Sequence, residues 1–190
     1  LSELRSGPVF AARRFFLPAA ALAVSLILTG CSMAESDSDK LGYEPEVRAV
    51  KPAEEEVNAI SSQLLDWMGA KGAVTASGAM AGTCDAVDPD FKTHYAVNHP
   101  WSLYDLKSGT FEEAMRNLRE MLPKNGWEIT RDGETDSQAR NPEIVAVNRK
   151  THHSVTIEWA RNRTGGKLKP LISVHVDSRC YKAPKGTDLG

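Results

Sequence analysis

Several signatures of familiar chemistry are missing from this sequence. It holds no glycine-rich phosphate loop, no HExxH helix, no nucleophile elbow and no glycine fingerprint between a strand and a helix. The phosphate, zinc-protease, acyl-transfer and dinucleotide chemistries that need those spacings therefore have no local support. Its three cysteines include no CxxC pair, which removes the short loop on which a redox dithiol resolves. Charge of one sign is not in excess: 23 Lys and Arg stand against 25 Asp and Glu, and such a balance offers no dedicated surface for nucleic acid. Nor is any apolar run long enough for a durable membrane span. The longest, residues 15–28, covers 14 positions, contains Pro18 and is followed by Gly30, whereas crossing the hydrocarbon takes roughly 20 apolar residues.

What that short run does suit is export. Arg5, Arg13 and Arg14 precede it against the single acid Glu3, the charged-then-apolar order of a signal peptide. It runs into Leu28-Thr29-Gly30-Cys31, which resembles the bacterial lipobox. The resemblance implies diacylglyceryl transfer to the Cys31 thiol and cleavage in front of it, making residues 1–30 a lipoprotein signal peptide. An ordinary secreted protein whose cysteine merely follows its signal is the other reading. Arg13-Arg14-Phe15-Phe16-Leu17 resembles the twin-arginine export motif, with Ala12 and Pro18 departing from it; the general secretory route fits the same residues. Without residues 1–30 the chain has 160 residues and a formal net charge of about −4, a length that suits one domain with a true core. Residues 32–51 mix Ser, Asp, Glu and Pro with scattered apolar groups. With Cys31 they read as a lipidated, flexible tether over 31–51, which would hold a domain clear of the headgroups.

Cys84 and Cys180 remain as a pair. In an oxidising exterior they have one possible connectivity, a disulfide. It would close a loop of roughly 100 residues, contributing up to about 4.7 kcal/mol on a chain-entropy estimate. Ile172, Val174, Val176, Ser178 and Cys180 alternate with His175, Asp177 and Arg179, which predicts a strand over 171–181 with Cys180 on its apolar face.

Two helices are expected. Val57, Ile60, Leu64 and Trp67 or Met68 recur at helical spacing behind Glu54, Glu55 and Glu56, acids that suit a helix amino end, and Gly69 and Gly72 follow as stops. Thr110 with Glu113 forms a capping box in front of Phe111, Met115 or Ala114, Leu118 and Met121 or Leu122, and Pro123 with Gly126 ends that helix. Strands are expected around 127–131, 144–147 and 154–160, with a further strand inside 91–106 whose bounds Pro100 obscures. The fold class is α+β: a two-layer sandwich with two helices packed on a mainly antiparallel sheet of four to six strands. The domain should span 52–182, with 183–190 a disordered tail. The sheet face opposite the helices would stay free for solvent or a partner.

Candidate sites beyond the cysteines are thin. His94, His99, His152, His153 and His175 come from three segments, and a zinc site would need three or four ligands to converge, with Asp85, Asp88 or Asp90 as possible additions. The acids of CDAVDPD lack calcium-loop spacing and read as a turn beside the disulfide. Ser173 or Ser178 with His175 and Asp177 looks like a triad in text; Ser173 and His175 share a strand face and Ser178 does not, and nothing activates a strand serine by itself. Tyr95, Trp101, Tyr104, Trp127, Trp159 and Tyr181, with Arg161, Arg163, Lys167 and Lys169 nearby, could line a platform, although filling the core is the stronger reading. Asn162-Arg163-Thr164 matches a glycosylation triplet without weight in a bacterial lipoprotein. No catalytic residue, metal ligand or cofactor is assigned.

The lipobox, the acidic-serine tether, GTFEEAMRNLREMLPKNGWEI at 109–129 and SVHVDSRCY at 173–181 together resemble small uncharacterised lipoproteins of actinobacteria, Streptomyces-like in layout. The resemblance implies a membrane-held position at the outer leaflet of the cytoplasmic membrane, facing the cell wall, and brings no site residues. The expectation is a lipid-anchored cell-envelope protein with a non-enzymatic binding or accessory domain, its partners the membrane and an envelope protein. The alternative is an extracytoplasmic small-ligand or metal-binding protein, or an enzyme with an unrecognised site.

Overall fold

The computed structural model describes residues 36–161 and 168–190. Among them are three helices, α1 (Asp37–Leu41), α2 (Val50–Met68) and α3 (Phe111–Lys124). The strands are β1 (Lys71–Val74), β2 (Met80–Gly82), β3 (His94–Ser108), β4 (Glu128–Glu134), β5 (Pro142–Asn148), β6 (His153–Ala160), β7 (Leu171–Asp177) and β8 (Tyr181–Lys182). They form one antiparallel sheet in the order β1-β3-β7-β6-β5-β4, with β2 and β8 also paired to β3. The class is α+β, as the periodicity requires, but the sheet is larger than four to six strands and there is a third helix.

The extra strands have a simple origin. Along one side of β3, β1 meets residues 103–108 and β2 meets 96–98; along the other, β7 meets 98–104 and β8 meets 94–95. Each neighbour of β3 is thus one long strand interrupted in its middle. Gly72 lies at the first irregularity: a Cβ there would sit 2.5 Å from the Tyr104 carbonyl oxygen, so only glycine lets the two backbones approach this closely.

The helices bury one face of the sheet. α2 contributes Ala53, Val57, Leu64 and Met68, and α3 contributes Ala114, Met115, Leu118 and Leu122. Opposite them stand Val97, Trp101 and Leu103 of β3, Val155 and Ile157 of β6, and Ile172, Val174 and Val176 of β7, all in the same buried cluster. Each large apolar side chain so buried is worth about 1.5–3 kcal/mol. α3 begins at the expected capping box: Thr110 Oγ1 accepts from the Glu113 amide and Glu113 Oε2 accepts from the Thr110 amide. It runs through Pro123 to Lys124, two residues further than a proline stop suggests, which is tolerable because the helix ends there anyway. α2 ends at Gly69 with φ +65°, and Asn117 of α3 donates to its terminal Met68 carbonyl at 2.9 Å. It starts at Val50, however, without a side-chain cap and without acids in its first turn. Glu54–Glu56 therefore lie past the helix end they were expected to serve.

Three boundaries change. β7 stops at Asp177, where Ser178 donates its amide to the Val97 carbonyl and accepts the Val97 amide on its hydroxyl. Cys180 follows that break and so does not belong to the apolar parity of β7. Residues 43–48, expected in the tether, are fastened to the sheet instead, and Asp37 ahead of them lies 3.5 Å from His94. Val47 pairs in parallel with Lys182, the Tyr95 hydroxyl donates to the Arg48 carbonyl, and Arg48 forms an ion pair with Glu56. The expected tail also makes contacts: the Ala183 amide donates to the Thr93 carbonyl, and Leu189 packs against the core. Cys31 lies outside the described residues.

Candidate functional site

Because strand side chains alternate between faces, the residues between the buried positions of β3, β7 and β6 line the sheet face turned away from α2 and α3. The register sets them in rows: Ser102, Ser173 and Glu158; then Pro100, His175 and Thr156; then Asn98, Asp177 and Ser154. The first two rows, with Thr75 and Ser77 as a side wall, bound a hollow of about 510 Å³.

The hollow owes its shape to the interrupted edge. Between β1 and β2 the ladder continues only through single bonds: Thr75 N to Ser102 O at 3.1 Å, Ser102 N to Thr75 Oγ1 at 3.0 Å, and Ser77 Oγ to Pro100 O at 2.7 Å. Amides two residues apart point to the same side of a strand, so the N–H that Pro100 lacks would have faced this gap. That is why proline is accommodated in the middle of a 15-residue strand.

None of the side chains in these rows is Lys or Arg. Glu158 stands opposite Glu143, a like-charge pair that would be unfavourable unaided. Arg131 Nε lies 3.1 Å from Glu143 Oε2, and Asn141 Nδ2 donates to Glu158 Oε1 at 2.7 Å. His175 Nε2 is 3.3 Å from Asp177 Oδ1. Burial pushes the Asp177 carboxyl above its ordinary range, and His175 partly opposes the rise. Hydroxyls, one carboxylate and one imidazole in a shallow, open hollow are suited to binding a ligand rich in hydrogen-bond donors.

The triad in the text does not assemble as a nucleophile. Ser173 Oγ donates to the Glu158 carbonyl at 3.5 Å, while His175 turns to Asp177. The other histidines are spread out. His99 bridges Ser61 and the Ser77 carbonyl, His94 lies 3.5 Å from Asp37, and His152 stacks on Tyr43 with ring centroids 4.4 Å apart. His153 is 1% exposed. Among the described residues, no three His, Cys, Asp or Glu side chains gather in a metal-holding group.

Cys84 and Cys180 form a disulfide with their Cα atoms 5.8 Å apart. The acids beside it make a turn: Asp88 accepts the amides of Lys92, Thr93 and His94 on one oxygen. Those bonds hold its carboxyl far below the usual carboxylate range. Asp85 and Asp90 do not join it around a shared point, and Asp90 pairs with Lys92.

Of the aromatic candidates, Tyr95, Trp101, Trp127 and Tyr181 are buried in the core. Trp159 packs beside Phe111 with Arg161 over its ring, and Lys169 is engaged by Asp105. Asn162, Arg163 and Lys167 lie outside the described residues. Tyr43 and Arg179 escaped the sequence reading: the guanidinium of Arg179 sits 4.5 Å from the Tyr43 ring centre. The only signal was an aromatic residue inside an otherwise polar stretch. No family model matches the chain, and no curated protein or solved structure matches it either.

Proposed function

We propose that this chain is a lipid-anchored cell-envelope protein, held at the extracytoplasmic face of the membrane through Cys31. In this reading its domain is a non-enzymatic binding module. The single observation that carries the binding role is the hollow of hydroxyl and carboxylate groups on the sheet face that α2 and α3 leave open. An envelope protein that offers basic, donor-rich side chains fits it, since none of the rows contains a cation of its own. The same observation favours, as a second reading, a small cationic ligand in the hollow.

The test is capture from detergent-solubilised membranes with the wild-type protein and with Thr156→Arg and Ser173→Arg, which place a cation in the hollow without touching the core. A protein recovered by the wild type and lost with both variants supports the first reading. Equal recovery by all three removes the hollow as its site, and binding only of small amines in calorimetry selects the second.

A further inference from the structure

We propose that the end of the domain built from residues 36–48, β8 and the turn at 184–187 lies directly on the anionic headgroup layer, instead of standing off it on a long spacer. This rests on the reading that Cys31 is acylated. Residues 43–48 are fastened to the sheet: Lys182 donates its amide to the Glu46 carbonyl, Arg48 donates to the Lys182 carbonyl, and Cys180 donates to the Tyr43 hydroxyl; ahead of them Asp37 lies 3.5 Å from His94 of β3. The spacer left between Cys31 and Ser36 is residues 32–35, and that stretch of chain spans at most about 19 Å.

The point where it arrives is beside a second hollow. Asp37 contacts His94, whose neighbour Thr93 lines a concavity of about 520 Å³ together with Val47, Lys92, Lys182, Pro184 and Lys185. Val47 is 63% exposed. Among the described residues Lys182 and Lys185 have no ion-pair partner, whereas Lys92 is held by Asp90. Glu46 and Asp188 are the acids next to this stretch in sequence, so the surface is mixed and its lysines act one by one. Lysine stems can lie on the apolar wall while their ammonium groups reach phosphate, and withdrawal of Val47 and Pro184 from water favours the same contact. Lys71 and Lys107 stand at the opposite end of β3, about 40 Å away at ordinary strand rise, and should never meet the headgroups.

The test uses the acylated protein recovered from its own membranes and placed in phosphatidylglycerol vesicles containing a few per cent of a phospholipid with an amine-reactive headgroup. Digestion and mass spectrometry then read both the lipid on Cys31 and the lipid adducts on lysines. The expected result is at least a fivefold excess of adducts at Lys182 and Lys185 over Lys71 and Lys107, falling about threefold when phosphatidylcholine replaces phosphatidylglycerol. An unmodified Cys31 removes the anchor and the proposal with it. An acylated Cys31 with adducts spread equally over both ends leaves the anchor standing and overturns the docking face. A preference indifferent to headgroup charge overturns its anionic character.

Discussion

Tyr43 accepts a hydrogen bond from the amide of Cys180 at 2.8 Å, across 137 positions of chain. Its ring also contacts His152 and Arg179, so one side chain joins the start of the fold to the residue that carries the disulfide. Tyr43→Phe strands a polar amide and should cost about 1–2 kcal/mol. Tyr43→Ala should lose roughly 1 kcal/mol more through the cation–ring contact. Urea melts with unchanged slope and a lowered midpoint would show this; a Tyr43→Phe midpoint equal to wild type would mean that the fastening contributes nothing.

The Cys84–Cys180 bond spans a separation of 96 residues. Alkylation of the native protein without reductant should add no mass at Cys84 or Cys180, and additions at both would refute the bond in the native molecule. Replacing both cysteines by alanine should lower stability by about 2–5 kcal/mol while leaving any binding at the open sheet face intact, because that hollow draws nothing from either cysteine.

His153 makes stability depend on pH. It is buried, and its ring nitrogens form no well-aligned hydrogen bond. Burial pushes its pKa below the ordinary imidazole value, with nearby Glu56 opposing. The unfolded chain therefore binds the proton more readily than the folded one. The stability tied to the neutral ring is present above pH about 6.5 and is lost as pH falls from there through the folded pKa. His153→Leu should flatten the change in urea midpoint between pH 7 and pH 5 and shift stability at pH 7 by no more than about 1 kcal/mol. A variant whose midpoint falls as steeply as wild type would assign the pH dependence to other groups.

The legible parts of the fold were those fixed by neighbours in sequence. Thr110 and Glu113 are three positions apart, so their mutual cap on α3 is written locally, and the alternation in β6 and β7 follows from adjacent residues. What was not legible depends on pairing at a distance. Pro100 reads as a strand breaker until the gap between β1 and β2 is known to face its missing amide. Cys180 reads as part of β7 until Ser178 is seen to spend both its backbone and side chain on Val97. Tyr43 and Arg48 look like tether residues because their partners, Cys180 and Glu56, lie in other elements. The open hollow has the same character: Ser102, Ser173 and Glu158 come together only through the registers of β3, β7 and β6.

The fastening of residues 43–48 to Cys180 and Lys182 also sets an order of events. The chain emerges amino end first, yet this first stretch has its partners in the last strand. Until residue 182 has been synthesised, Tyr43, Val47 and the thiol of Cys84 have nothing to join, and the long loop between them must be closed late. A chain stalled or clipped ahead of Cys180 would therefore present an open sheet end, an exposed tyrosine and a reactive thiol together, a combination that marks it as unfinished.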